Sequence, residues 1–208
     1  MKLSLVRKYF EPKNILDIGA NVGQWYRQAK LIFPDSKFTC VEGNVFCKHL
    51  LFQNNCNGMI CLLGKDEDYH DFFLNSDSII STGSSLYLEL TDSFNYDNTK
   101  CVRVKTKLLD NVFPVESFDL IKLDTQGSEI DILKGGIHTL RRSKGCIIEV
   151  SHKPYNKGAP LSHEVVNFML DNDFYLRETL STNERTHQSD YFFINEWWLN
   201  CYEQFMQE

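Results

Sequence analysis

The chain has 208 residues, of which 42% are hydrophobic and 24% charged, and it carries a net charge of -6. These proportions exclude a disordered or fibrous protein, and no apolar run approaches the roughly 18 residues of a membrane span. The first ten residues contain no signal-peptide pattern. We therefore predict one α/β domain over residues 1–208, located in the cytoplasm.

The net negative charge also indicates which kinds of partner the protein is expected to bind. Without a basic block, attraction to a nucleic-acid backbone is disfavoured, so a small-molecule or glycan acceptor is the preferred partner, and the oligomeric state stays open. The cysteines form no CxxC pair and several stand inside apolar runs, where a thiol behaves as a small hydrophobe. We expect reduced core thiols rather than disulfides or a zinc site.

Short β-type runs alternate with amphipathic stretches along the chain, which is typical of a mostly parallel sheet with helices on both faces. Seven strands are predicted in chain order: Asn14 to Ile18, Lys37 to Glu42, Met59 to Leu63, Phe118 to Leu123, Cys146 to Val150, Phe174 to Arg177 and Tyr191 to Ile194. The fold class is α/β, of the Rossmann-like, doubly wound type.

Four helices are predicted between these strands. The first lies in "GQWYRQAKLIF" and is stopped by Pro34, and the second in "VFCKHLLFQNNC". The third, "SEIDILKGGIHTLRR", opens with Ser128 as cap and Glu129 as complement to the helix dipole. The fourth is "LSHEVVNFMLDN".

The connection "ETLSTNERTHQSD" is polar and too short for a crossover helix, so the last two strands are predicted to form an antiparallel hairpin at or near one edge of the sheet. Such an ending favours the methyltransferase version of the fold over a nucleotide dehydrogenase. The stretch 69–107 breaks the rhythm. We expect there a loop with some strand content over the carboxyl edge of the sheet.

The turn after the first strand, "NILDIGANVGQ", is where a doubly wound sheet binds its cofactor. Gly19 and Gly23 allow a tight turn and close approach of a ligand. Asp17, just before the turn, would repel a pyrophosphate but attract the cationic end of S-adenosylmethionine (SAM), so its charge favours SAM over a nicotinamide dinucleotide. Glu42, at the end of the second strand, suits ribose hydroxyls, and Asp66 is a candidate for the adenine amino group.

Five segments in order, "ILDIGANVGQ", "CVEGN", "TGSSL", "LIKLDTQGSEIDILKGG" and "IIEVS", resemble the FkbM family of SAM-dependent methyltransferases from about residue 14 to 152. The resemblance implies a class I methyltransferase fold, SAM as methyl donor with S-adenosylhomocysteine as product, and O-methylation of a sugar or natural-product hydroxyl. The chain departs from the family at Thr125, where Val or Ile is more usual, and in its tail.

Within this pattern, Asn21 and Gln24 are expected at the methionine end of SAM, or as caps of the following helix. Ser84 and Ser85 lie on a loop that, in the family pattern, closes over the cofactor. The complete set predicted to bind the cofactor is Asp17, Gly19, Ala20, Asn21, Gly23, Gln24, Glu42, Gly43, Asn44, Asp66, Ser84, Ser85, Asp124 and Gln126.

Three residues are candidates for catalysis. Asp124 follows the fourth strand directly and is a candidate base or positioning group; His152, just past the fifth strand, is a second candidate base. Glu149 is expected to be a carboxylate in need of a partner. Asp124 with Glu149 would also suit a divalent metal, although no spacing requires one.

Two alternative functions stay open at this point: a nicotinamide-dependent oxidoreductase, and a non-catalytic Rossmann-like domain that binds SAM or a nucleotide. The aromatic tail is expected to dock on the core, with a sugar pocket or a dimer contact as alternatives. Its aromatic residues are Trp197, Trp198, Tyr202 and Phe205.

Overall fold

The computed structural model describes residues 1–54, 56–75, 80–91 and 97–205, with side chains to residue 201. A seven-stranded sheet forms its centre, in the spatial order β3-β2-β1-β6-β7-β9-β8. Its strands are β1 (Asn14–Ile18), β2 (Lys37–Glu42), β3 (Gly58–Ile60), β6 (Leu120–Leu123), β7 (Gly145–Ser151), β8 (Phe174–Asn183) and β9 (Gln188–Asn195). The seven predicted strands and the mostly parallel sheet are confirmed, although β3 and β6 are shorter than predicted and β7, β8 and β9 are longer.

Alternate residues of an apolar strand pack on opposite faces of this sheet. In β1, Leu16 and Ile18 pack into one hydrophobic cluster, whereas Ile15 packs into the other. The next residue on the Ile15 face is Asp17, which pairs in register with Lys122 of β6. Strand alternation therefore places charged groups on one face just before the strands end.

Helices cover both faces of the sheet. They are α1 (Gln24–Ile32), α2 (Lys48–Gln53), α3 (Leu109–Val112), α4 (Glu129–Lys134), α5 (Ile137–Arg141), α6 (Ser162–Leu170) and α7 (Glu196–Phe205), with 3-10 turns at Leu3–Lys8 and Val45–Cys47. The single helix predicted after β6 was wrong, because it breaks into α4 and α5 at Gly135 and Gly136. A Cβ on Gly135 would lie 2.2 Å from the carbonyl oxygen of Gly64, so the break lets the chain pass close to that loop.

The last two strands form the predicted antiparallel hairpin, and β9 lies between β7 and β8. The chain then ends in α7, which confirms core docking for Trp198: its indole N–H donates to the carbonyl oxygen of Tyr9 at 3.3 Å, and its ring meets Phe10 edge-on at 6.0 Å. Trp197 is 67% exposed. The side chains of Tyr202 and Phe205 lie outside the described residues.

A second, two-stranded antiparallel sheet is formed by β4 (Tyr69–Asn75) and β5 (Thr99–Lys105). The strand content expected within 69–107 is therefore confirmed. An isolated bridge pairs Phe73 of β4 with Ser85, so the "TGSSL" segment is fastened to this small sheet.

The expectation of reduced core thiols was wrong at one pair, because Cys40 and Cys56 form a disulfide. Cys40 faces inward from β2, and the chain returning towards β3 brings Cys56 to a Cα separation of 6.5 Å, a proximity that residue spacing alone does not reveal. The predicted cytoplasmic location, which used reduced thiols as support, stays a prediction. None of the described helices is long and apolar enough to cross a membrane.

Candidate functional site

The turn after β1 packs its backbone against the end of β6. Gly19 has φ +81°, and a Cβ there would lie 1.9 Å from the carbonyl oxygen of Asp124, so only glycine fits. Asn21 also has a positive φ of 49°, which is uncommon outside glycine. Its backbone N–H donates to Glu42 Oε2 at 2.7 Å. The turn is thereby fastened to the ends of two neighbouring strands.

Glu42 ends β2 and lines the cleft beside that turn. Its other oxygen, Oε1, accepts the backbone N–H of Asn44 at 2.6 Å. Burial raises the pKa of Glu42, and these N–H donors act in the opposite direction. Three backbone N–H groups, those of Asn44, Asn21 and Gly43, donate to Glu42, and a carboxylate has about four acceptor positions, so one position is left for a ligand hydroxyl.

A narrow cleft with a free volume of about 40 Å³ lies at the carboxyl ends of β1, β2 and β6. Residues 80–86 cover it: the side-chain amide of Asn21 donates to the carbonyl oxygens of Ile80 and Ser81 at 3.2 and 3.1 Å. Ser85 Oγ lies 2.9 Å from the carbonyl oxygens of both Thr125 and Gln126. Of the residues predicted for the cofactor, the cleft lining contains Gly19, Asn21, Glu42, Gly43, Ser84, Ser85 and Asp124.

A fully buried lysine lies beside this cleft. The Nζ atom of Lys122 is 3.3 Å from Asp124 Oδ2 and 3.1 Å from Asp190 Oδ1, and it donates to the carbonyl oxygen of Leu123 at 3.0 Å. Although burial opposes it, the two carboxylates raise the pKa of Lys122. The buried ammonium therefore stays charged, and its two ion pairs link the end of β6 to β9.

Asp17 lies next to Lys122 in the sheet register and is 1% exposed. Within the described parts of the chain, its Oδ2 atom is buried without a hydrogen-bond partner. Burial raises the pKa of Asp17 to about 7, although the charge of Lys122 lowers it. Asp17 thus lies behind the cleft lining, and its orphaned oxygen is an acceptor for a cationic or N–H group.

Asp124 and Glu149 form a hydrogen-bonded carboxyl pair. Gln126 braces both, since its Nε2 atom lies 3.2 Å from Asp124 Oδ1 and 2.6 Å from Glu149 Oε2. Burial opposes ionisation, but Lys122 and these hydrogen bonds lower the pKa of Asp124. Burial, followed by the charge of Asp124, raises the pKa of Glu149 to about 9. Near neutral pH, Glu149 therefore carries a proton and Asp124 is ionised.

The turn that follows Asp124 is held in place by Glu129. This carboxylate is 4% exposed and accepts the backbone N–H of Thr125 at 2.8 Å and that of Gly127 at 3.0 Å. Burial raises the pKa of Glu129. Gln126 within the turn has φ +56°, a strained conformation that the bonds to Glu129 maintain. Beyond its position in the first turn of α4, Glu129 therefore fixes the shape of the turn that follows β6.

Some predicted residues lie elsewhere. Asp66 is absent from the cleft lining, and its Oδ1 lies 2.6 Å from His70 Nε2. His152 is exposed, with Nε2 2.8 Å from Ser189 Oγ, and Gln24 is exposed at the start of α1. The cleft lining also lacks Ala20, Gly23, Asn44 and Gln126, of which Asn44 and Gln126 support residues that do line it.

Sequence reasoning missed Lys122 and Asp190. A lysine inside "LIKLD" is a usable signal, because a charged residue in a strand expected to be buried on both faces requires a partner. Asp190 had no such signal, since its distance from Lys122 depends on how the hairpin is placed. Among the described residues, no three His, Cys, Asp or Glu side chains are grouped as for a metal ion.

Comparison with known proteins agrees with this geometry. The sequence matches the family model of the methyltransferase FkbM domain over residues 17–176. No curated protein matches it.

Several solved methyltransferase structures share the fold. Precorrin-6y C5,15-methyltransferase from Geobacter metallireducens GS-15 is 11% identical, with a TM-score of 0.51 over 93% of this chain and 86% of that chain. Magnesium protoporphyrin IX methyltransferase from Synechocystis PCC 6803, with SAM bound, is 10% identical, with a TM-score of 0.52 over 93% and 74%. Aeropyrum pernix fibrillarin, also with SAM bound, is 7% identical, with a TM-score of 0.52 over 88% and 66%. At such identities the likeness concerns the fold alone.

Proposed function

The chain belongs to the FkbM family of methyltransferases, and from this premise we propose that it is a SAM-dependent O-methyltransferase acting on a hydroxyl of a sugar or natural-product-like acceptor. The observation that carries the proposal is the position of Asp124, whose carboxyl lines the cleft at the end of β6 and lies 3.3 Å from the buried ammonium of Lys122. An ionised carboxylate there is suited to accept a hydroxyl proton.

The residues of the cleft fit SAM. Glu42 keeps one acceptor position for a ribose hydroxyl, and Gly19 and Asn21 shape the turn where the methionine part would lie. Asp17 lies behind the cleft lining, so its carboxyl would favour the ammonium of that part through its charge and not by direct contact. When bound, SAM supplies the methyl group from its sulfonium, and S-adenosylhomocysteine is released.

In the proposed reaction, Asp124 orients the acceptor hydroxyl and takes its proton. The hydroxyl becomes more acidic as its oxygen bonds to the methyl carbon, so a carboxylate of lowered pKa is a sufficient acceptor. Lys122 keeps Asp124 ionised, while the protonated Glu149 donates to Asp124 and holds its orientation. Residues 80–86 limit the access of water to the cleft.

The test is S-adenosylhomocysteine formation from SAM with a panel of sugars, glycans and phenols. We expect Asp124→Asn to bind S-adenosylhomocysteine like the wild type and to lower kcat by about 100-fold. Asp71→Asn, an identical change at an exposed position of β4, is the control and should keep full activity.

Three outcomes separate the alternatives. Failure of S-adenosylhomocysteine to raise the Tm would contradict SAM binding altogether. Binding without methyl transfer to any hydroxyl acceptor would favour a non-catalytic SAM-binding domain. Unchanged turnover of a true acceptor by Asp124→Asn would refute the role assigned to this carboxylate.

A further inference from the structure

A second cavity, of about 420 Å³, lies beyond the carboxyl end of β7. One wall is the segment that follows β7 and carries Lys153 and Tyr155. The opposite wall is the turn between β8 and β9, with Arg185 and His187, and Glu89 closes one side. In an open α/β sheet, substrates bind outside the carboxyl ends of the strands, so the cavity stands where the distant part of an acceptor would lie.

The cavity is rich in cations, in contrast to the acidic protein as a whole. Lys153 and Arg185 are both exposed, and in the described segments neither has a carboxylate within ion-pair distance. Lys153 Nζ lies 3.2 Å from His187 Nε2. Two cations that form no ion pair with a described residue converge on one cavity, which is an arrangement that an anionic group would neutralise.

The remaining lining is polar and suits hydroxyls. Glu89 is 5% exposed and accepts the phenol hydroxyl of Tyr155 at 3.2 Å and the hydroxyl of Thr91. Burial and the charge of Glu89 raise the pKa of Tyr155 to about 12, so the phenol remains a donor. The Oγ1 atom of Thr186 is buried without a partner in the described structure. A carboxylate, an aromatic ring and hydroxyls together are typical of sites that hold sugars.

A chain of contacts links the cavity to the proposed reaction centre. Gln188, next to His187, donates from Nε2 to Glu149 Oε2 at 3.2 Å, and Glu149 is the partner of Asp124. An acceptor with its hydroxyl at Asp124 would have to extend past Glu149 and Gln188 to place an anionic group at the cations.

We infer that this cavity is the acceptor subsite and that it binds the anionic group, a carboxylate or a phosphate, of an acidic sugar. The inference rests on the proposed function and adds the chemical class of the acceptor. Arg185 and Lys153 pair with the anion, and Glu89 and Tyr155 bind the sugar hydroxyls.

The experiment is isothermal titration of the full chain, saturated with S-adenosylhomocysteine, with glucose, glucuronate and glucose 6-phosphate. We expect the two anionic sugars to bind at least about tenfold more tightly than glucose, with affinity that falls as salt rises. The stronger of the two identifies the anion as carboxylate or phosphate. Arg185→Ala and Lys153→Ala should each weaken anionic binding by about tenfold.

Arg177→Ala is the matched control, because Arg177 is an exposed arginine of the same hairpin that does not line the cavity. Equal affinity for glucose and both acidic sugars, no binding of either acidic sugar, or equal losses in Arg185→Ala and Arg177→Ala would overturn the inference. Because S-adenosylhomocysteine binding is measured first in the same sample, failure at that step concerns the proposed function, whereas failure only with the sugars concerns the subsite.

Discussion

Replacing Lys122 with methionine is expected to destabilise the fold by about 3–5 kcal/mol near pH 8, because a buried cation is removed from between two carboxylates. Methionine retains an unbranched side chain of comparable length, so the change isolates the charge. At an effective dielectric constant of about 20, an ion pair near 3 Å is worth roughly 5 kcal/mol. The ion pair with Asp190 contributes most of this energy, because the side chain of Asp190 is only 12% exposed. The ion pair with Asp124 contributes less, because that side chain is 36% exposed and solvent weakens the interaction.

The loss of stability caused by replacing Lys122 should depend on pH. Without Lys122, burial would hold the pKa of Asp124 in the folded variant above the unfolded value. A carboxyl group with a raised folded pKa takes up a proton on folding, so the variant loses stability as the pH rises above about 4. The destabilisation should therefore be largest at about pH 8 and smallest at about pH 5.

The assay is urea unfolding followed by circular dichroism at both pH values. Lys8→Met is the control: the Lys8 to Glu178 ion pair has a similar distance of 3.0 Å, but its lysine side chain is 57% exposed, so its loss should cost less than about 1 kcal/mol at either pH. Equal, pH-independent losses in the two variants would refute the charge argument for Lys122.

Two further changes test the turn after β1. Asp17→Asn should flatten the fall in stability between about pH 4 and pH 7, because burial raises the pKa of Asp17 to about 7 and the folded wild type holds a proton there that the unfolded chain has lost; an unchanged slope in urea unfolding would contradict this. Gly19→Ala should lower stability by more than about 3 kcal/mol, since its Cβ would lie 1.9 Å from the carbonyl oxygen of Asp124. Gly158→Ala, with a similar φ of +76° and nothing within 4 Å, should cost only about 1 kcal/mol, and similar losses at both glycines would show that crowding at Gly19 is unimportant.

The central sheet was predictable because its strands are short apolar runs separated by polar connections. The bounds of its strands were less predictable. Strand β3 begins at Gly58 and ends at Ile60, because pairing with β2 and not hydrophobicity determines where it ends. The break between α4 and α5 depends on Gly135 approaching a distant loop. The bond between Cys40 and Cys56 likewise depends on proximity in space.

The cleft was predictable where residues end parallel strands, as Glu42 and Asp124 do, because those ends meet at one edge of the sheet. Asp66 and His152 follow strands too, yet side-chain partners hold them away from the cleft lining. Lys122 was missed because its partners come from β6 and from β9, and the order of the strands is needed to bring Asp190 to it.

The position of β9 has a consequence for biosynthesis. This strand is formed near the end of the chain, yet it lies inside the sheet and separates β7 from β8. While the ribosome is still adding residues 188–195, β7 has an unpaired edge with its apolar residues uncovered, which is a template for association with other nascent chains. Premature termination before this strand would therefore yield aggregating fragments rather than a smaller functional protein.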